Sequence, residues 1–276
     1  MNSKPIFTAL LVCVTLYVML LASCAKKETP NKDGFETDGT VNAEPTAQTA
    51  EEYIKSGLAY LEKQEYDKAL ADFEQAIKDY TEAIRRNPQS APAYNSRGTV
   101  YLYIEEYDKA IADFTEAIRL DPQSDLAYVG RGDVYVRMYE SYEAIADYTQ
   151  AIKLNPHSAE VYAKRGTTYG YNGDHDEAIA DCTEAIKLDP LYAEAYYYRG
   201  ILYSYKEEDD NAIADCTEAI KLNPHYALAY YERGMTYFAK KDYEKAVADF
   251  EAALKIEPDL GKAKDLLEVA KQERGY

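Results

Sequence analysis

The side chains that most often do chemistry in proteins are few in this sequence and lie far apart. His157 and His225 each follow a proline, and His175 lies in a charged turn, so they cannot converge on one metal in an extended chain. The run Glu207–Asp210 could attract a cation, but it lacks the ligand spacing of a calcium loop. Neither a glycine-rich phosphate loop nor a nucleophile motif occurs. We therefore expect no catalytic residue, no cofactor and no metal site.

A second group of charged side chains recurs at constant spacing. Five arginines precede a glycine, and each is followed by an aspartate 16 residues later. The pairs are Arg97 and Asp113, Arg131 and Asp147, Arg165 and Asp181, Arg199 and Asp215, and Arg233 and Asp249. The arginines could form a ladder that binds a ligand. We favour structural ion pairs between consecutive helices, within one unit or with the same aspartate of an adjacent unit.

The elements that must position these residues repeat with a fixed period. The glycines of the Arg-Gly pairs, from Gly98 to Gly234, follow one another every 34 residues, and Gly57 precedes Gly98 by 41. Such a period indicates stacked units rather than one closed core. Within residues 193–226, apolar residues recur at helical spacing on both sides of a charged break, and Asn223-Pro224 ends the second helix. Each unit is therefore expected to be a helix, a turn and a helix.

This pattern resembles the tetratricopeptide repeat (TPR). One unit carries the family's characteristic residues as Tyr94, Gly98, Tyr101, Ala110, Phe114, Ala117 and Pro122. The resemblance implies an all-α, right-handed superhelical solenoid of six TPR repeats with a C-terminal capping helix. The expected repeats are 50–90, with a seven-residue insertion, then 91–124, 125–158, 159–192, 193–226 and 227–260, followed by the cap at 261–276.

The N-terminal residues differ in kind from the repeats. Residues 1–23 have the layout of a signal peptide, and Leu21-Ala22-Ser23-Cys24 resembles a bacterial lipobox, which implies that Cys24 is diacylated. An uncleaved signal anchor and a plain secretory peptide are the alternatives. Residues 24–49 are polar and predicted to be a disordered tether. We expect a lipid-anchored protein in the bacterial cell envelope, facing the periplasm or exterior.

Charge and cysteine content limit the partners and the crosslinks. The net charge of -18 argues against nucleic acid and against electrostatic adhesion to anionic lipid, so acyl chains must provide the membrane contact. Cys182 and Cys216 occupy equivalent positions of consecutive units, about 10 Å apart if the units stack, which exceeds the reach of a disulfide. We expect both thiols to be free and buried.

Tyrosine is unusually abundant, with 29 residues. The resemblance implies that tyrosines such as Tyr196 and Tyr203 are buried framework residues, whereas other first-helix positions and the last position of each repeat line an inner groove. The predicted groove residues are Tyr171, Tyr192, Tyr197, Ile201, Tyr205, Tyr226, Tyr231, Met235 and Phe238. Alternatively, some of these tyrosines only pack between neighbouring first helices. The basic residues with which some family members clamp a carboxylate are missing.

The function implied by the resemblance is a membrane-anchored scaffold or adaptor for protein–protein interaction. Its partner would be a peptide or protein held in the groove, in a process of envelope assembly. Binding of a glycan or small ligand by the tyrosine-rich groove is the alternative, because aromatic faces also stack on sugars. An enzyme is disfavoured, since no polar groups are expected to converge.

Overall fold

The computed structural model describes residues 47–275, and in this range the chain forms thirteen helices and no strand. The helices are α1 Ala47–Glu62, α2 Tyr66–Arg86, α3 Ala91–Tyr103, α4 Tyr107–Leu120, α5 Asp125–Arg137, α6 Ser141–Leu154, α7 Ala159–Asn172, α8 His175–Leu188, α9 Ala193–Tyr205, α10 Asp209–Leu222, α11 Ala227–Ala239, α12 Tyr243–Ile256 and α13 Gly261–Arg274. The predicted signal peptide, Cys24 and residues 24–46 of the predicted tether lie outside the described residues. Helix α1 begins at Ala47, three residues before the expected start of the first repeat.

The helix ends follow from local sequence. The second helix of each repeat stops before an Asn-Pro, Asp-Pro or Glu-Pro pair, because proline lacks an N–H and restricts the residue before it. Ser90 and Ser158 precede α3 and α7, and each hydroxyl accepts a hydrogen bond from a backbone N–H of the first turn. Between the helices of each repeat, one residue takes positive φ; it is Gly173 in repeat four and Gln64, Glu105, Tyr139, Glu207 or Lys241 elsewhere.

The described helices fall into two compact units, which divide after Asp121. The first unit contains α1 to α4. The seven extra residues of repeat one lie in α2, which runs unbroken for 21 residues, whereas α4 has 14. Phe73 on α2 is buried against Gly57 of α1, where an added Cβ would lie 2.7 Å from the ring. The small residue thus permits the close approach of the two helices.

The second unit contains α5 to α13. Each first helix contacts its own second helix, each second helix from α6 onward contacts the helix that follows it, and α9 also contacts both α7 and α11. The first helices of repeats four to six therefore form a continuous layer. Among the described residues, no helix has both the length and the apolarity required to cross a bilayer.

Cys182 and Cys216 lie in the core of the second unit. Both are buried and unpaired, and burial raises the pKa of each thiol to about 12. A Cβ added to Gly200 would lie 2.8 Å from the sulfur of Cys216. Each thiol therefore fills, opposite the repeated glycine, the space that Phe114 or Phe250 fills in other repeats.

Candidate functional site

The five repeated arginines bind the aspartates 16 residues later. In every pair the arginine Nε and Nη2 donate to the two carboxylate oxygens at 2.7–2.8 Å. The aspartates are 5–7% exposed. Four arginines also donate from Nη1 to a threonine of the preceding second helix, as Arg165 does to Thr149 at 3.0 Å. These bonds engage the guanidinium with internal partners and link successive repeats, so the arginines are poorly placed to receive a ligand.

The framework tyrosines are less buried than the sequence suggested. Tyr196 and Tyr203 are half-buried, and their rings lie on either side of Arg199, with centroids 5.8 and 5.9 Å from the guanidinium carbon. The expectation that these rings are buried between helices was wrong, because they cover the partly exposed guanidinium and stay partly exposed themselves.

Two of the predicted groove tyrosines belong to the core. Tyr197 is 8% exposed and Tyr226 is 7% exposed, and their ring centroids lie 4.9 Å apart. Burial raises the pKa of both phenols, and it also raises that of the half-buried Tyr192. Tyr197 lies on α9, which contacts a first helix on each side, so the ring is enclosed. For Tyr197 and Tyr226 the assignment as groove-lining surface is therefore corrected to packing between helices.

Other predicted residues remain accessible on the first helices. Tyr171 and Tyr205, at the C-terminal ends of α7 and α9, are 76% and 73% exposed, and the Tyr205 ring lies 5.6 Å from that of His175. The remaining four are half-buried, namely Ile201, Tyr231, Met235 and Phe238. We call these six side chains the first-helix face.

The C-terminal part of the first-helix face is held by the last three helices. Tyr231 contacts the buried Phe250 of α12, with ring centroids 6.0 Å apart, and Phe238 meets Tyr243 edge to face at 5.4 Å. Tyr231, Met235 and Phe238 also belong to the cluster that includes Leu267 of α13. The capping helix therefore supports these side chains while leaving part of each exposed.

A charged network between α5 and α7 was not anticipated from the sequence. Lys164 of α7 lies 2.7 Å from Asp133 of α5 and 3.1 Å from Glu160, and the hydroxyl of the buried Tyr148 donates to Asp133 at 2.7 Å. Asp133 is 8% exposed. The available signal was a basic and an acidic residue 31 positions apart, at first-helix positions of adjacent repeats.

Glu232 of α11 is a second residue that the sequence reasoning missed. It is half-buried, and burial raises the pKa of its carboxyl group. Lys262 of α13 opposes this shift through its charge, but it forms no ion pair with Glu232 among the described contacts. Glu232 is thus a partly buried carboxylate without an ion-pair partner among the described residues.

The comparisons with known proteins place the chain in a family. The family model described as the ETO1 C-terminal domain matches residues 56–274. Hsp70-Hsp90 organizing protein 1 of Glycine max is 33% identical in an alignment that covers 29% of this chain and 17% of that protein. The chain thus aligns with less than a fifth of this curated relative.

Solved structures show the same repeat architecture. YrrB, described as a TPR protein with an unusual peptide-binding site, is 25% identical over 68% of this chain and 97% of its own, with a TM-score of 0.58. The corresponding values for MamA are 27% identity, 62% and 94% coverage, and a TM-score of 0.56. The Cut9–Hcn1 complex, at 21% identity and a TM-score of 0.64 over 81% of this chain and 43% of its own, shares the fold. This all-α chain is therefore a TPR repeat protein, and it belongs to the family of the ETO1 C-terminal domain.

Proposed function

We propose that this protein is a non-enzymatic scaffold that binds a peptide segment of a protein partner on its first-helix face. One observation carries the proposal: accessible tyrosines and half-buried apolar side chains lie together on consecutive first helices that contact one another. Tyrosine and methionine suit such a surface because they combine a large contact area with adaptable geometry. The peptide-binding site ascribed to YrrB supports the same use of a TPR array.

A selected peptide provides the test. The full-length chain is immobilised, a random peptide library displayed on phage is selected against it, and the affinity of a synthetic winner is measured by calorimetry. The double variant Tyr171→Ala/Tyr205→Ala is expected to weaken binding by about tenfold or more, since truncating interface aromatics costs upward of about 1–2 kcal/mol. Its circular dichroism spectrum should match that of the wild type, because both rings are largely exposed.

The chain offers a matched control. Tyr142 on α6 is 77% exposed but lies on a second helix, so Tyr142→Ala should leave the affinity unchanged. A benzoylphenylalanine residue at 205 should crosslink the peptide, and one at 142 should not. Equal affinity of the wild type and the Tyr171/Tyr205 variant, or equal crosslinking at both positions, would refute the proposed surface. An oligosaccharide that bound the wild type and was lost in the double variant would instead favour glycan binding.

We further propose that acyl chains on Cys24 anchor the scaffold at a bacterial membrane, facing the periplasm or exterior, where it acts in envelope assembly. The support is the lipobox-like sequence Leu21–Cys24 and the polar composition of the residues that follow it. Cys24→Ser should abolish incorporation of labelled palmitate and leave an uncleaved precursor, whereas Cys13→Ser should do neither. Continued labelling of the Cys24 variant would exclude this anchor.

A further inference from the structure

The charged network around Lys164 defines a register between neighbouring first helices. Asp133, at the ninth position of repeat three, meets Lys164, at the sixth position of repeat four, and Glu160 at the second position completes the network. The lysine side chain is only 14% exposed, and carboxylates contact it from two first helices. In this register, the Lys164 ammonium is therefore paired with carboxylates of the protein itself.

Two repeats later, the equivalent positions contain one charged residue and no residue of opposite charge. The equivalents of Asp133, Glu160 and Lys164 are Ile201, Leu228 and Glu232. Ile201 and Leu228 belong to the apolar cluster around Tyr197 and Tyr226. The Glu232 carboxylate therefore occupies the place of an internally paired ammonium, with aliphatic groups where its partners would be. Among residues 47–275 it forms no ion pair and accepts no side-chain hydrogen bond, and Lys262 acts on it only at longer range.

A second polar group in this region also lacks a partner. The hydroxyl of Tyr226 is buried and makes no hydrogen bond, although the residue is 7% exposed. A buried hydroxyl without a hydrogen bond costs free energy, and so does a partly buried carboxylate without an ion-pair partner. Both groups lie near Tyr197: the Tyr226 ring contacts it in a tilted arrangement, and the charge of Glu232 reaches its phenol. Tyr197 is thus the residue that the two groups have in common.

We propose that Glu232 is the anchor of a cation subsite, which takes the ammonium or guanidinium of a lysine or arginine side chain in the bound peptide. The inference rests on the proposed peptide-binding function and adds the chemistry of the ligand. The aliphatic stem of lysine or arginine would lie along Ile201 and Met235, and the charged end would reach the carboxylate. A partly desolvated carboxylate favours such a side chain strongly, because the pair forms where water screens it little.

The test uses the selected peptides and the full-length chain. The winners should share a lysine or arginine at a fixed position. Replacing that residue by norleucine should weaken binding to the wild type by about tenfold, which corresponds to about 1.4 kcal/mol. Glu232→Gln should weaken the original peptide equally, and norleucine should then cause little further loss, as a double-mutant cycle requires for two groups in contact. The control Glu244→Gln removes one exposed carboxylate from α12 and should bind like the wild type.

The outcomes separate this inference from the function on which it rests. If the Tyr171/Tyr205 variant loses the peptide but Glu232→Gln does not, the surface stands and the cation subsite is overturned. The subsite is also overturned if the losses of binding free energy caused by norleucine and by Glu232→Gln are additive. The basic residue of the peptide would then pair with another group of the protein. If no peptide binds the folded wild type, both the function and the subsite fail. Glu232→Gln is nearly isosteric, and its circular dichroism spectrum and melting temperature exclude misfolding as the cause of lost affinity.

Discussion

At the scale of single residues, the repeated arginine is the most sensitive point of the framework. Arg165 forms two hydrogen bonds to Asp181, which is 6% exposed, and one to Thr149 of the preceding repeat. Arg165→Met should lower the free energy of unfolding by about 2–3 kcal/mol, because it leaves a buried carboxylate unpaired. This loss is smaller than the roughly 3–5 kcal/mol typical of breaking a fully buried ion pair, because the arginine side chain is 16% exposed. Urea denaturation monitored by circular dichroism measures the change.

An exposed ion pair and a double substitution serve as controls for Arg165. Arg119 pairs with Glu116 at 2.6 Å but is 60% exposed, so Arg119→Ala should change stability by less than about 1 kcal/mol. Arg165→Met/Asp181→Leu should recover much of the loss, because no charge then remains buried at this site. Equal effects of the Arg165 and Arg119 substitutions would show that burial of the repeated pair contributes nothing.

Glu232 should make the stability of the fold decrease as pH rises, which is opposite to the effect of an ion-paired carboxylate. Its pKa in the folded chain is raised above the ordinary value of 4.5 mainly by burial, while Lys262 on α13 acts in the opposite sense. The tyrosines Tyr197 and Tyr231 and the thiol of Cys216 also face it. Since the folded state binds the proton more tightly than the unfolded state, the contribution of this group is most favourable below pH 4.5 and is lost as pH rises through the folded pKa.

Glu232→Gln should therefore raise the melting temperature near neutral pH while weakening the peptide. The stabilisation should shrink as pH falls towards 4.5 and vanish below it, where the wild-type side chain is neutral in both states. Calorimetric melting of both chains across this pH range is the measurement. A Gln variant that melts lower than the wild type at neutral pH would show that the carboxylate has a stabilising partner.

How far the sequence predicts single side chains depends on where their neighbours come from. The arginine–aspartate pairing was predictable because both residues belong to one repeat and keep constant spacing. The exposure of the groove tyrosines was not. Tyr197 and Tyr231 occupy the same repeat position, yet Tyr197 is buried and Tyr231 is half-buried, because the side chains of adjoining repeats differ. The solitary charge of Glu232 likewise appears only when the contacts between repeats are known.

At the scale of elements, the turn inside each repeat contains a strained backbone position. Tyr139, for example, has a φ of 61°, and Gly173 has a φ of 87° at the equivalent position of repeat four. An L-residue in the left-handed region costs roughly 1 kcal/mol or more, which glycine avoids. Gly173→Ala should therefore destabilise the chain by about 1 kcal/mol, although nothing lies within 4 Å of the added Cβ.

The reverse substitution tests the same strain. Tyr139→Gly should be neutral or stabilise by up to about 1 kcal/mol, because relief of strain is offset in part by the larger unfolded-state entropy of glycine. The Tyr139 side chain is 89% exposed, so little packing is lost. Urea denaturation should show a loss of stability for Gly173→Ala and no loss for Tyr139→Gly. If Gly173→Ala were neutral, the left-handed backbone conformation at this position would have no measurable free-energy cost.

The helices themselves were the most predictable level of this protein. The period of 34 residues, the stop prolines and the repeated small residues indicated the helix pairs, and the all-α class is confirmed. Helix boundaries were less certain: α1 begins at Ala47, inside the segment expected to be a tether. Composition suggested a polar linker there, but helix formation depends on local propensity and on packing that composition does not report.

At the scale of the whole molecule, charge is the dominant property. The formal net charge is -18, and several partly exposed glutamates pair with a lysine or arginine three residues away on the same helix, as Glu116 does with Arg119. Such pairs contribute little, whereas repulsion among the excess carboxylates opposes the folded state. The same excess attracts a basic peptide towards the protein and so favours the ligand chemistry inferred for Glu232.

Added salt should therefore act in opposite directions on stability and on peptide affinity. At about 0.1 M ionic strength the screening length is about 10 Å, so repulsion between exposed carboxylates farther apart than this is largely screened, while the buried arginine–aspartate pairs are affected little. The melting temperature should rise between low salt and about 0.1 M sodium chloride, and the association rate of a basic peptide should fall. Scanning calorimetry and stopped-flow fluorescence give the two readouts, and a peptide carrying norleucine in place of its basic residue is the control. A melting temperature that fell with salt would mean that exposed ion pairs outweigh net repulsion, and an unchanged association rate would remove the electrostatic argument for a basic partner.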